Sequence, residues 1–230
     1  MDDWRRHAIY FAPRADTPLA RFGADWLGWD AAAGAPRDGL DLPGLPRPRA
    51  DLVAGPDRYG LHATLKPPFR LAEGRDRAGL GAAIAALAAR HARFALDLGP
   101  GVLQGFVALM ETTPSRPLAR LAANCVTELD AFRAPPIPEE IGRRGPDLDP
   151  AEAANLHRWG YPWVLDRFRF HLTLSRSLPP PEAAAVLAAL APPLAPHLSR
   201  PVEVADLCHF AEGEDGRFRM LGRYPLGEGA

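Results

Sequence analysis

A four-residue pattern occurs twice, as His62-Ala63-Thr64-Leu65 and His171-Leu172-Thr173-Leu174, and it restricts the fold more than any other feature of the chain. In a β-strand successive side chains point to opposite faces, so in each copy His and Thr project together while the two apolar residues face the other way. Each copy therefore predicts a strand with one wet and one dry face. Seven His and six Thr placed at random would give roughly 0.2 His-x-Thr matches, and about 0.04 once apolar residues must fill the other two positions. The copies lie 109 positions apart in 230 residues, which predicts two similar lobes of about 100 residues, each able to bury a core.

Composition narrows the function. The hydrophobic fraction of 47% and charged fraction of 24% are those of an ordinary globular chain. A net charge of -1 gives no basic field for a long polyanion, so no long nucleic acid is expected, while a small anionic substrate needs only a local cluster. The two cysteines, Cys125 and Cys208, sit in apolar surroundings without metal-type spacing and read as reduced core thiols. The charged start, Met1-Asp2-Asp3-Trp4-Arg5-Arg6, lacks the apolar run of a signal peptide. The longest apolar stretch, around residues 82–89, is far short of a bilayer span. A cytoplasmic chain with no membrane partner is the expectation.

Strand and helix signals alternate along the chain. A strand is expected over 7–12, and a helix from Asp16-Thr17-Pro18 to Trp29 with Thr17 as cap and Pro18 at its first position. Residues 31–58 read as an irregular connection. The first motif strand is expected over 60–66, ended by Pro67-Pro68. A helix over 79–91, strands over 94–98 and 106–111, and a helix over 114–132 presenting Leu118, Leu121, Ala122, Cys125 and Leu129 complete a first lobe, 1–133. Residues 134–150, with five prolines and a mixed-charge run from Glu139 to Arg144, read as an insertion over a site or between lobes. The second lobe, 151–230, carries a helix from Asp149-Pro150 to Trp159, the second motif strand over 167–175, a helix over 181–190, and strands over 202–210 and 218–225. Such alternation argues for α/β or α+β lobes.

If the motif strands lie side by side, His62, Thr64, His171 and Thr173 converge. Phosphodiester hydrolysis needs one proton removed from water and one delivered to the leaving oxygen, and two imidazoles can divide those tasks. The threonine hydroxyls can donate to the non-bridging oxygens where charge develops. A metal site is less favoured, because neither copy has a second His or a carboxylate two to four residues away.

The paired His-apolar-Thr-apolar motifs resemble those of the 2H phosphoesterase superfamily. The segments His62-Ala63-Thr64-Leu65-Lys66-Pro67-Pro68-Phe69, Pro138-Glu139-Glu140-Ile141 with Arg143-Arg144, and Arg158-Trp159-Gly160-Tyr161-Pro162 leading to Phe168-Arg169-Phe170-His171-Leu172-Thr173-Leu174 are similar to its phosphonate-metabolism branch, encoded beside carbon-phosphorus lyase genes. The resemblance implies an α+β fold of two pseudo-symmetric lobes, each a small antiparallel-rich sheet with flanking helices, around a central cleft. It implies a metal-independent phosphodiesterase of the cyclic phosphodiesterase class, with His62 and His171 as the acid-base pair, Thr64 and Thr173 binding phosphate, a small phosphorylated substrate such as a phosphorylated ribose, and no cofactor. An RNA-end 2′,3′-cyclic phosphodiesterase and a non-catalytic module binding a phosphorylated metabolite are the alternatives. On phase alone Lys66 and Arg169 are candidate substrate contacts, and Ser175 continues the Arg169 face. Tyr10 and Tyr59 are candidate cleft residues, and Arg143 or Arg144 could be carried to the substrate on a lid. The remaining histidines read as structural or exposed. Neither the oligomeric state nor which histidine is the acid follows from these signals.

Overall fold

The computed structural model describes residues 4–142 and 148–228. Its strands are β1 (Arg6–Phe11), β2 (Trp29–Asp30), β3 (Ala35–Pro36), β4 (Ala63–Phe69), β5 (Phe94–Leu96), β6 (Leu98–Leu103), β7 (Phe106–Glu111), β8 (His171–Thr173), β9 (Val202–Val204), β10 (Asp206–Glu212) and β11 (Phe218–Pro225). Its α-helices are α1 (Pro18–Leu27), α2 (Arg49–Val53), α3 (Arg77–Ala88), α4 (Arg116–Glu128), α5 (Pro138–Gly142), α6 (Pro150–Trp159) and α7 (Pro180–Leu194).

Helix boundaries follow local chemistry. Thr17, Asp76, Ser115 and Asp149 each accept a backbone N–H of the first turn, from Ala20, Gly79, Leu118 and Glu152 respectively. Such caps contribute about 1 kcal/mol each by satisfying donors that the helix leaves free. Asp149 and Glu152 form a reciprocal capping box, and Gly160 closes α6 in the left-handed region. Gly28 closes α1 in the same way, so that helix stops short of Trp29.

Seven strands form one sheet in the order β11-β10-β1-β4-β8-β7-β6, with neighbouring strands paired antiparallel. The fold is thus mixed α and β with an antiparallel sheet, as expected. The strands β5 and β9 pair separately, as do β2 and β3. One face of the sheet presents Ile9, Phe11, Ala63, Val107, Leu109, Leu172 and Leu207 to a single core that also holds Trp26 of α1, Ile84 of α3, Leu121 and Cys125 of α4, and Val186 of α7. The helices thus cover one face, and the alternation of the motif strands leaves His62, Thr64, His171 and Thr173 on the other. A smaller cluster of Tyr10, Trp29, Cys208, Phe210 and Phe218 lies apart from the main core, with Tyr59 packed against it.

Several boundaries differ from the sequence reading. The two halves of the sheet are not the chain segments 1–133 and 151–230: β10 and β11 pair onto β1, while β6 and β7 pair onto β8. The chain exchanges strands between halves, a long-range choice that local patterns do not encode. The Pro67-Pro68 pair does not end β4, which runs on to Phe69. Its pairing with β1 slips instead, from Tyr10↔Thr64 to Ile9↔Lys66 to His7↔Phe69. Extra residues on one strand make β-bulges, and a bulge absorbs prolines that cannot donate to the ladder. The second motif strand spans 171–173 rather than 167–175, because a 3₁₀ turn at Leu165–Arg167 precedes it and Ser175 turns inward after it. The expected strand 202–210 divides at Ala205, and the expected strand 94–98 divides at Asp97, its second piece running on to Leu103, so that each piece has a different partner. The short α2 and the β2–β3 pair lie within the expected connection 31–58, and α5 lies within the expected insertion.

Candidate active site

The two motif strands are neighbours at the middle of the sheet, and Ala63 stands opposite Leu172 in their antiparallel ladder. The same register sets Thr64 opposite His171 and His62 opposite Thr173, all on the open face. Directly opposed residues have Cβ atoms about 4.5–5.5 Å apart. Four functional side chains therefore occupy a two-by-two grid in which each histidine faces the other motif's threonine. Tyr10 of β1 stands opposite Thr64, and Met110 of β7 opposite His171.

Both imidazoles are fixed in the same way. His62 Nδ1 lies 2.9 Å from the Gly60 carbonyl, and His171 Nδ1 lies 2.8 Å from the Arg169 carbonyl, in each case two residues back. A carbonyl only accepts, so Nδ1 carries a proton and donates, and Nε2 is left as the atom that can take up or release a proton. Gly60 can supply this carbonyl because its φ of 72° is in the left-handed region. A Cβ there would also come within 3.2 Å of Ala31 Cβ and 3.3 Å of the Trp29 carbonyl.

The surroundings of the two rings differ. His62 packs against Tyr10 and Tyr59, with ring centroids 4.1 and 5.3 Å away, and Phe210 lies 6.4 Å away. Burial in this cage lowers its pKa from 6.5 to about 4, and the charge of nearby His171 acts in the same direction. His171 instead lines a cleft of about 420 Å³ with Thr64, Thr173 and Arg169. The cleft is walled by Tyr161, Trp163, Val164 and Phe168 on one side and by Leu103, Gln104 and Phe106 of the β6–β7 hairpin on another. Asn155, nearly buried on α6, directs its amide at the carbonyls of Pro162 and Val164, both at 3.2 Å, and so holds the first of these walls to its helix. Trp163 Nε1 donates to Glu152 Oε1 at 3.1 Å, and Arg167 pairs with Asp149 at 2.9 Å, which ties the same wall to the capping box of α6.

The structure thus brings Thr64, His171, Thr173 and Arg169 to one cleft with His62 beside it. Tyr10 and Tyr59 enclose His62 rather than line that cleft. Lys66 departs from its expected place. The bulge after Thr64 breaks the two-residue alternation, so Leu65 and Lys66 are both buried. Lys66 Nζ donates to the Val126 carbonyl of α4 at 3.0 Å and lies 3.6 Å from Asp130 Oδ1. Burial pushes its pKa down to about 8. Ser175 also leaves the open face, accepting from the Val107 N–H at 2.9 Å and donating to the Arg176 carbonyl at 2.8 Å. Arg143 and Arg144 lie outside the described residues. The sequence reading missed Gln104, Asn155, Trp163 and Phe168. A Gln-Gly pair between two apolar runs was the available signal for the hairpin tip at Gln104, while the others sit in a loop without a period to read.

Outside the site, His7 and His209 form a buried pair at 2.9 Å on the helix-covered face, and His91 meets Asn124 at 3.1 Å. Cys125 and Cys208 are buried free thiols. Among the described residues, no group of three or more His, Cys, Asp or Glu is placed to hold a metal ion, and no helix is long and apolar enough to cross a membrane.

Residues 64–219, more than half of the chain, match the family described as "Protein of unknown function (DUF1045)". A protein of Janthinobacterium sp. (strain Marseille) called ribose 1,5-bisphosphate phosphokinase PhnN is 40% identical over 176 residues, covering 75% of this chain and 39% of that protein. A protein of the same name from Laribacter hongkongensis (strain HLHK9) is 39% identical over 217 residues, covering 94% of this chain and 50% of that protein. The chain thus spans half or less of the length of these curated relatives. Among solved structures, E. coli LigT complexed with 3′-AMP aligns with a TM-score of 0.46 at 16% identity, covering 97% of this chain and 99% of that one. A structure described as a phosphoesterase aligns with a TM-score of 0.41 at 16% identity over the same shares. On the strength of the family match, this chain belongs to the DUF1045 family.

Proposed function

We propose that this chain is a metal-independent phosphoesterase of the 2H type, which opens a small cyclic phosphate or phosphodiester by acid-base catalysis divided between His62 and His171. The observation that carries this reading is the grid: two opposed His/Thr pairs, with each Nδ1 spent on a carbonyl and each Nε2 left to exchange a proton. Water attacks phosphorus and gives its proton to one imidazole. The P–O bond to the leaving oxygen breaks, and that oxygen takes a proton from the other imidazole. The Thr64 and Thr173 hydroxyls donate to the non-bridging oxygens as their charge rises. His62, kept neutral by its aromatic cage, suits the base. His171, which lines the cleft with Arg169, is then the acid.

A phosphorylated ribose from phosphonate breakdown is the favoured substrate class. Its support is the name of the two relatives, ribose 1,5-bisphosphate phosphokinase, of which this chain matches 39% and 50% of the length. Arg169 on the cleft lining would bind a second phosphate. The aromatic wall of Tyr161, Trp163 and Phe168 favours a second reading, in which a nucleobase stacks there and the substrate is a short RNA end bearing a 2′,3′-cyclic phosphate. Phosphorus NMR of ribose cyclic phosphates and 2′,3′-cyclic nucleotides incubated with the protein in EDTA tests the reading. Conversion of at least one of them to a monoester is expected. Binding of these compounds without conversion would replace the enzyme with a phosphometabolite-binding module.

A further inference from the structure

We infer that Gln104 is a specificity-determining residue of this site, hydrogen-bonding a hydroxyl or amide on the outer arm of the substrate; the inference rests on the phosphoesterase reading. Leu103 pairs with Phe106, so Gln104 and Gly105 form a two-residue hairpin loop. Their φ values of 50° and 85° are both in the left-handed region, the geometry of a type I′ turn. Asn, Asp or Gly suit the first position of that turn, whereas a long side chain there is strained.

The strain is held in place by neighbours. Gly105 accepts from the Leu178 N–H at 3.0 Å, and a Cβ on it would meet Ser177 Oγ at 2.7 Å. The Gln104 carbonyl accepts from Ser177 Oγ at 3.4 Å. The tip is thus pinned just past Thr173, where β8 ends and Leu174 N donates to the Val107 carbonyl. Gln104 itself is exposed and lines the cleft that holds His171 and Thr173.

Among the described residues only two non-glycine positions have positive φ, Gln104 at 50° and Leu165 at 55°. Leu165 opens the 3₁₀ turn between Val164 and Phe168 of the facing wall. Backbone strain persists where surrounding structure imposes it, and it concentrates at functional sites. A carboxamide offers two donors and an acceptor, which suits a hydroxyl or an amide edge. The tip residues Gln104 and Gly105 carry no charge, so the recognition they offer is neutral and hydrogen-bonded.

Gln104→Gly and Gln104→Met separate this role from turn strain. Glycine relieves the strain and removes the amide, while methionine keeps length and strain but removes the hydrogen bonds. Melting temperature and kcat/KM are measured for 2′,3′-cyclic AMP, which carries hydroxyl and amino groups, and for bis(4-nitrophenyl) phosphate, which carries neither. The inference predicts that both variants lose about five- to tenfold on 2′,3′-cyclic AMP, with the aryl diester unaffected. Only the glycine variant should melt higher, by about 1–3 °C. A higher melting temperature with the substrate ratio unchanged would reduce Gln104 to an ordinary turn residue, and equal losses on both substrates would also overturn the specificity role. Wild-type protein that turns over neither of these nor any ribose cyclic phosphate would refute the phosphoesterase reading and this inference with it.

Discussion

Replacing Tyr59 with alanine opens one side of the cage around His62 and should raise that imidazole's pKa. In the folded chain it is lowered from 6.5 to about 4, a bias of roughly 3 kcal/mol toward the neutral ring. Tyr59 stacks on His62 at 5.3 Å and on Phe218 at 4.6 Å, and is itself half-exposed, so its loss admits water directly to the imidazole. Tyr10 and Phe210 remain, so the recovery is partial, an upward move of roughly 1 in pKa. Titration of the His62 ring by NMR reads this directly, and the acid limb of the kcat/KM profile should move up with it. The lost ring costs about 2–3 kcal/mol of stability at neutral pH. Because the folded ring resists protonation, stability attributable to it is full above pH 6.5 and falls as pH drops toward 4; Tyr59→Ala should flatten that dependence. A His62 pKa near 6.5 in the wild type, or one unmoved by the substitution, would refute the cage as the cause of its neutrality.

Lys66→Met should leave turnover within about twofold, since Lys66 points at Val126 and Asp130 rather than at the cleft, and because the Val126 carbonyl loses its donor while Asp130 keeps Arg133 and Arg158, it should cost roughly 1–3 kcal/mol of urea stability. A loss of turnover with intact stability would return Lys66 to the site. Thr64→Val and Thr173→Val keep shape but remove a hydroxyl each; kcat is expected to fall by about 10- to 100-fold with KM little changed, because the bonds strengthen in the transition state. His209, buried against His7, has its pKa lowered to about 3 by burial and by the charges of His7 and Arg77. The unfolded chain binds that proton more readily, so His209 should make stability fall by about 1 kcal/mol per pH unit as pH drops below 6.5; urea unfolding at pH 7 and pH 5 measures it, and equal stabilities would contradict a buried neutral His209.

The parts of this molecule that obey a local period were legible in the sequence. His62 and Thr64, like His171 and Thr173, share a face because strand alternation survives through both motifs, and α6 begins at Asp149-Pro150 because its cap is written in adjacent residues. The α4 face of Leu118, Leu121, Ala122, Cys125 and Leu129 is likewise buried, as helical periodicity requires. Where alternation is interrupted, phase misleads. One bulge takes Lys66 out of the site, and the end of β8 turns Ser175 into a backbone clamp for Val107. The interleaving of strands between halves depends on contacts across more than fifty residues, and the loop that brings Tyr161, Trp163 and Phe168 to the cleft is held by Asn155, Glu152 and Asp149 without a period to read, so neither leaves a local mark. The aromatic cage was half visible: Tyr10 and Tyr59 stood out as candidates, but that they hold His62 rather than substrate follows only from ring positions.

The central claim, that His62 and His171 act together on one phosphate, is tested most directly by turnover of the best cyclic phosphate in EDTA by wild type, His62→Ala, His171→Ala and the double variant. The account predicts that each single substitution costs at least about 100-fold, and that the double variant loses little beyond the worse single one, because the two groups serve one proton transfer sequence. Near-normal turnover in either single variant, or activity that disappears with chelation alone, would contradict it.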